Sequence, residues 1–137
     1  MLYEYHLAVP PNTPYTAPLT QAVPLVPGRI IAIAVQFPYR CAGLVHAQIW
    51  EGLYVRWPSN PDSDLYGDNV VVEWREEYDL DPTAPRLRLV AWNLDDTYVH
   101  TVTFRFNILP KAVIDAQGRA LAALDYLGRW FDQRQAT

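Results

Sequence analysis

A chain of 137 residues is the length of one domain, and with 50% hydrophobic and 19% charged residues it can bury a core and is not disordered in composition. A net charge of −4 and arginines spread singly along the chain exclude nucleic acid as the main ligand, because binding a phosphate backbone requires a basic surface that displaces counterions. The single cysteine, Cys41, excludes an internal disulfide and any cysteine-based metal site. No apolar run is long enough to span a bilayer, and Met1 to Pro10 lacks the basic and apolar regions of a signal peptide, so neither a membrane nor signal-directed export is expected.

Leu2 to Val9 alternates, with Tyr3, Tyr5, Leu7 and Val9 on one side and Glu4 and His6 on the other, which predicts a strand. Residues 10–18 (PPNTPYTAP) hold four prolines and cannot lie inside a sheet, so they read as an extended arm or long loop. Leu19 to Val26 is an edge-strand candidate, since Pro24 removes a ladder donor. Gly28 to Phe37 (GRIIAIAVQF) is apolar on both faces and predicts a central, well-covered strand. Gly43 to Trp50 and Leu53 to Trp57 form a hairpin about Glu51-Gly52.

Residues 58–68 make a polar loop, followed by strands at Asn69 to Arg75, Leu87 to Trp92 and Tyr98 to Leu109. In the last of these, His100, Val102, Phe104, Phe106 and Ile108 share one face. About eight strands at this spacing predict an all-β fold, an antiparallel β-sandwich or jelly roll over residues 1–110. Residues 111–137 form a C-terminal extension with one amphipathic α-helix from about Ile114 to Gln133. Its stripe is Ala120, Leu124, Leu127 and Phe131, widened by Ala123 and Trp130, and Asp115 near its start suits the helix dipole.

Candidate chemistry is sparse. Cys41 precedes His46 by five residues, but a nucleophile and its base must be brought together by the fold, and a small buried thiol is the simpler reading. His6, His46 and His100 lie on three different strands without ligand spacing, and an isolated histidine beside Val102 and Phe104 reads as a hydrogen-bonded core residue. Asn60, Asp62, Asp64, Asp68 and Asn69, and separately Asp95 and Asp96, supply oxygens but lack the ordered spacing of a calcium loop. Glu73, Glu76, Glu77 and Asp79 read as solvated rim acids rather than a glycosidase pair. No catalytic residue, metal site or cofactor is assigned.

The chain is rich in aromatic residues at 13%. Trp50, Trp57 and Trp92 lie in or beside strands, and stacked sugar rings are the ligand such side chains would take. Trp50 and Trp92 are out of phase with the most apolar residues of their strands, so one or both are expected at the surface.

Several segments carry a resemblance: Phe37-Pro38; Cys41 through His46 (CAGLVH); Trp57 through Asn60 (WPSN); Ala91 through Tyr98 (AWNLDDTY); and His100 through Thr103 (HTVT). Together they resemble small β-sandwich proteins encoded among the virion genes of tailed phages and prophages, over roughly residues 1–110. The resemblance implies a non-enzymatic, capsid-associated decoration, head-fibre or accessory protein. Such a protein would reside in the virion and work as a homo-oligomer and with other capsid or virion proteins. Partner contacts are expected at the two ends of the domain, from Pro14, Tyr15 and Pro18 of the arm and from Leu124, Leu127, Trp130 and Phe131 of the helix. The alternative expectation is a carbohydrate- or surface-binding module using Trp50, Trp57 and Trp92.

Overall fold

A computed structural model describes residues 1–135, so residues 136 and 137 of the expected C-terminal extension lie outside the described residues. The described elements run β1 (Leu2–Val9), β2 (Leu19–Pro24), β3 (Gly28–Phe37), β4 (Val45–Glu51), β5 (Tyr54–Trp57), β6 (Leu65–Tyr66), β7 (Val70–Asp79), β8 (Arg86–Asn93), β9 (His100–Pro110) and α1 (Lys111–Gln135). The strands form two antiparallel sheets, ordered β1-β9-β3-β7 and β2-β8-β4-β5, and β6 shares the β4 edge with β5. The pairs β1–β9, β2–β8, β3–β7 and β4–β5 are nested, as in one long hairpin rolled upon itself. That winding is a jelly roll.

The alternation in the sequence fills the space between the sheets. From one side come Leu7 and Val9 of β1, Ile30, Ile33, Val35 and Phe37 of β3, and Val102, Phe104, Phe106 and Ile108 of β9. Facing them are Val23 of β2, Val45, Ala47 and Ile49 of β4, and Leu87, Leu89 and Ala91 of β8. Fully burying one such side chain stabilises the fold by roughly 1.5–3 kcal/mol. A register shift between Ile30 and Ala32 turns both Ile30 and Ile33 inward.

β3 is central, as its composition predicts, but it is covered on only one face. Its outward Ala32 and Ala34 are half-buried and floor a shallow groove of about 410 Å³, with Leu2, Glu73, Arg75 and Arg105 among its walls. The sandwich therefore holds an apolar run in the place where alternation would serve.

Most strand ends shift by one or two residues from the sequence reading, and three differences are larger. β7 runs to Asp79 rather than Arg75, because Trp74, Glu76 and Tyr78 continue the inward phase of Val72. β6 is a two-residue strand inside the expected polar loop, pairing Leu65 and Tyr66 with Ala47 and His46. The helix starts at Lys111, directly after β9, rather than near Ile114. Pro110 has no N–H for the ladder, and β9 ends on it. Asp115 is consequently beyond the first turn, and instead of acting on the dipole it receives a hydrogen bond from Lys111 Nζ at 2.6 Å.

Candidate functional site

The two ends of the domain behave differently. The proline arm is fastened to its own sandwich. Thr13 and Asn93 exchange both main-chain hydrogen bonds at 3.0 Å, Asn12 N–H donates to Asp95 O at 2.8 Å, and Thr13 Oγ1 donates to Pro10 O at 2.7 Å. Tyr15 then packs edge-on against Trp92, with ring centroids 5.1 Å apart. Pro14 and Tyr15 are exposed and Pro18 is half-buried, so the arm offers an outer surface but not a loose strand to exchange.

The helix is not fastened in this way. Its N–H at Lys111 donates to Pro27 O at 2.8 Å, and of its side chains from Lys111 to Asp132 only Ile114 is half-buried. Every other described side chain is exposed, including Leu124 at 65% and Phe131 at 57%. The expected stripe exists, and its Leu124, Leu127 and Phe131 face no part of the described sandwich. On the opposite side Lys111 pairs with Asp115, and Asp125 with Arg129, each four residues apart as a helix surface favours. Trp130 sits edge-on to Phe131, 5.1 Å between centroids.

The second candidate is an aromatic cluster on the outer face of the β2-β8-β4-β5 sheet. His46 on β4 lies opposite Trp92 on β8, and their rings stack 2° from parallel with centroids 5.5 Å apart. Tyr66 on β6 packs on the other flank of His46 at 5.2 Å. His46 Nδ1–H donates to Asp64 Oδ1 at 2.6 Å, which ties the polar loop to the sheet. An open cleft of about 360 Å³ lies among Tyr15, His46, Asp62, Asp64, Trp92 and Leu94.

The three tryptophans named from the sequence do not form a platform. Trp57 is 5% exposed and belongs to the core, with its indole N–H donated to Glu76 at 2.8 Å. Trp92 faces outward, as its phase predicts, yet is only 4% exposed. Trp50 is half-buried, donates to Gln48 Oε1 at 2.9 Å, and carries the Arg88 guanidinium 4.9 Å above its ring. Trp92 has His46 and Tyr15 for neighbours, and a ring already so covered presents little face to a sugar.

The remaining reactive groups are separated and locally committed. Cys41 is buried, its Sγ donates to Gly67 O at 2.9 Å, and burial pushes its thiol pKa up, away from the thiolate form. His46 partners Asp64 rather than Cys41. His6 shares a 2.9 Å hydrogen bond with Thr103 on the outer face of the other sheet, and His100 Nε2–H donates to Asp95 Oδ2 at 2.8 Å. Asp68 accepts from the Ala42 N–H, and Asp95 also accepts from Thr97 N–H and Tyr98 N–H. Hydrogen bonds from His100 and then Thr97 hold the Asp95 carboxyl below its ordinary pKa. Among the described residues no group of three or more His, Cys, Asp or Glu side chains is placed to hold a metal ion. No described helix is long and apolar enough to cross a membrane.

No protein-family model matches the chain, and none of the curated proteins compared with it matches. The chain's own geometry therefore carries the argument.

Three polar arrangements escaped the sequence reading. Glu76, read as a rim acid, accepts indole N–H bonds from both Trp57 and Trp74, at 2.8 and 2.9 Å. Tyr78 O–H donates to Glu51 Oε1 at 2.6 Å, and burial, with this bond second, pushes the phenol pKa up to about 12. Asn93 is fully buried and crosslinks the arm, β1 and the β8–β9 loop. Glu76 was detectable in principle, since it falls in phase with Val72 and Trp74. The other two depend on partners far away in sequence.

Proposed function

We propose that this chain is a non-enzymatic structural subunit of a phage-like particle, a capsid-associated decoration, head-fibre or accessory protein that acts by self-assembly and docking. On this reading it resides in the virion, and its partners are copies of itself and other capsid or virion proteins. The observation that carries the reading is α1, a 25-residue helix continuous with β9 whose Leu124, Leu127 and Phe131 are exposed and rest on no part of the described sandwich. Most helical stability in proteins comes from packing an amphipathic face, and contiguous exposed apolar faces mark interaction sites. The jelly-roll winding adds an analogy of fold alone, since capsid domains and lectins both use it. The resemblance of residues 1–110 to phage virion proteins points the same way.

The test is sedimentation equilibrium on the full chain beside a Leu124→Ser/Leu127→Ser variant. The native chain is expected to be oligomeric and the variant to shift towards monomer, with the sandwich intact by near-ultraviolet circular dichroism. A native chain that stays strictly monomeric at high concentration overturns self-assembly as its mode of action.

The carbohydrate-binding alternative rests on the aromatic content. It draws little from the observed rings: Trp57 lies in the core, Trp92 is covered and Trp50 carries Arg88. Tryptophan fluorescence that responds to a sugar titration would revive it.

A further inference from the structure

We infer that α1 docks antiparallel against α1 of a second copy of this chain. This rests on the proposed assembly role and specifies its interface. The exposed stripe extends towards the helix N-terminus from the residues already named: Val113, Gln117, Ala120, Leu124, Leu127 and Phe131 recur at steps of four, three, four, three and four. That is the 3.5-residue seam of paired helices.

Three observations select a second copy as the occupant. First, between Lys111 and Asp132 the helix carries three basic and three acidic residues (Lys111, Arg119, Arg129; Asp115, Asp125, Asp132), all off the seam. Two pairs of them are satisfied within the helix. The seam thus presents no net charge for an oppositely charged partner, and an equally neutral apolar seam is its complement.

Second, the area suffices. Val113, Leu124, Leu127 and Phe131 of the seam, with Leu121 on its flank, are 41–67% exposed, which leaves on the order of 500 Å² of side-chain surface open per helix. Two such faces together reach the roughly 1,000 Å² that a specific interface requires.

Third, the seam is graded in size. The half near the sandwich offers Val113, Gln117 and Ala120; the distal half offers Leu124, Leu127 and Phe131. Antiparallel pairing sets Phe131 opposite Val113, Leu127 opposite Gln117 and Leu124 opposite Ala120, one large side chain against one smaller in every layer. Parallel pairing would stack Ala120 on Ala120 and Gln117 on Gln117, leaving the near end underfilled, while Phe131 met Phe131 at the far end. Interdigitating large and small residues is how packed layers reach native density. Antiparallel helices also oppose their dipoles.

The full chain with Gln117→Cys, with Leu127→Cys and with both substitutions tests this under mild oxidation. The two positions are about 15 Å apart along one helix, too far for a disulfide within it. Cys41 is buried and stays silent. Antiparallel docking is expected to give a covalent dimer from the double variant, joined 117 to 127 by mass spectrometry, and none from either single variant. Cross-linking of each single variant with itself means parallel docking and overturns the inference while leaving the assembly role standing. A dimeric mass without any cross-link means that the helix seats on the partner's sandwich, which also overturns it. A monomeric mass at every concentration overturns both the inference and the self-assembly on which it rests.

Discussion

The side-chain amide of Asn93 donates to the main-chain carbonyl of Val9, 3.0 Å away and 84 residues earlier in the chain. The same nitrogen donates to Tyr98 O at 2.9 Å, and Oδ1 accepts from Asp95 N–H at 3.0 Å. With its main chain paired to Thr13, this buried residue ties together the end of β1, the proline arm and the loop between β8 and β9. Asn93→Ala strands two carbonyls and one N–H at once. The expected cost is about 3 kcal/mol, since each unsatisfied buried group costs about 1–3 kcal/mol and part of the site regains water. Urea unfolding measures it, and a loosened arm should also change Trp92 fluorescence through its contact with Tyr15.

Asp95 gives the same corner an acid-side dependence. Its carboxyl pKa is lowered in the folded chain, first by the hydrogen bond from His100 and then by Thr97 N–H. A carboxylate depressed in this way contributes stability that is complete above its unfolded pKa, about 3.9, and is lost as pH falls through the lower folded value. The stability difference between the native chain and Asp95→Asn is therefore expected to be constant near neutral pH and to shrink below about pH 4. Denaturant midpoints across that range check it; a difference that persists unchanged to the acid limit would contradict the assignment.

Tyr78 makes the mirror-image case. Burial, and then its bond to the Glu51 carboxylate, push its pKa up to about 12. A phenol raised above its unfolded value of about 10 contributes stability present below that pH and lost as pH climbs towards 12. Burial also raises the Tyr5 pKa, so absorbance at alkaline pH is expected to show late-titrating tyrosine, with the last-titrating one absent from Tyr78→Phe. The substitution should cost about 1–2 kcal/mol at neutral pH, because Glu51 Oε2 is already buried without a partner and Oε1 loses its short bond.

These three sites also show where the sequence was informative. The inward phases of β1, β8 and β9 were legible because one face of each is covered and alternation records it, as in Val102, Phe104, Phe106 and Ile108. β3 misled in part, since small outward residues such as Ala32 look apolar without being covered. The winding was legible only as a class, because nested pairing such as Leu2 with Asn107 depends on partners a hundred residues apart. At the ends, the helix stripe was visible as a period. That it lies off the sandwich was not, since a docked and an undocked amphipathic helix have the same pattern. The tryptophans failed for a related reason: phase gave the side of the sheet for Trp92, but Tyr15, which covers it, comes from another part of the chain.

The state of α1 in solution follows from the exposure of Leu124, Leu127 and Phe131 on its apolar side. Gly118 and Gly128 each cost a helix interior on the order of 1 kcal/mol relative to alanine, and most of a helix's stability in a protein comes from packing its apolar face, which α1 does not do on the described sandwich. Its helicity should consequently depend on association, so the far-ultraviolet helical signal per residue is expected to fall on dilution while the near-ultraviolet signal of the sandwich stays constant. Gly118→Ala separates propensity from docking. Nothing lies within 4 Å of a Cβ placed there, and the position is off the apolar seam. The variant is expected to be more helical than the native chain at low concentration, by the equivalent of about 1 kcal/mol, with unchanged sandwich unfolding. Helicity that is independent of concentration in both chains would mean that α1 holds itself together without a partner.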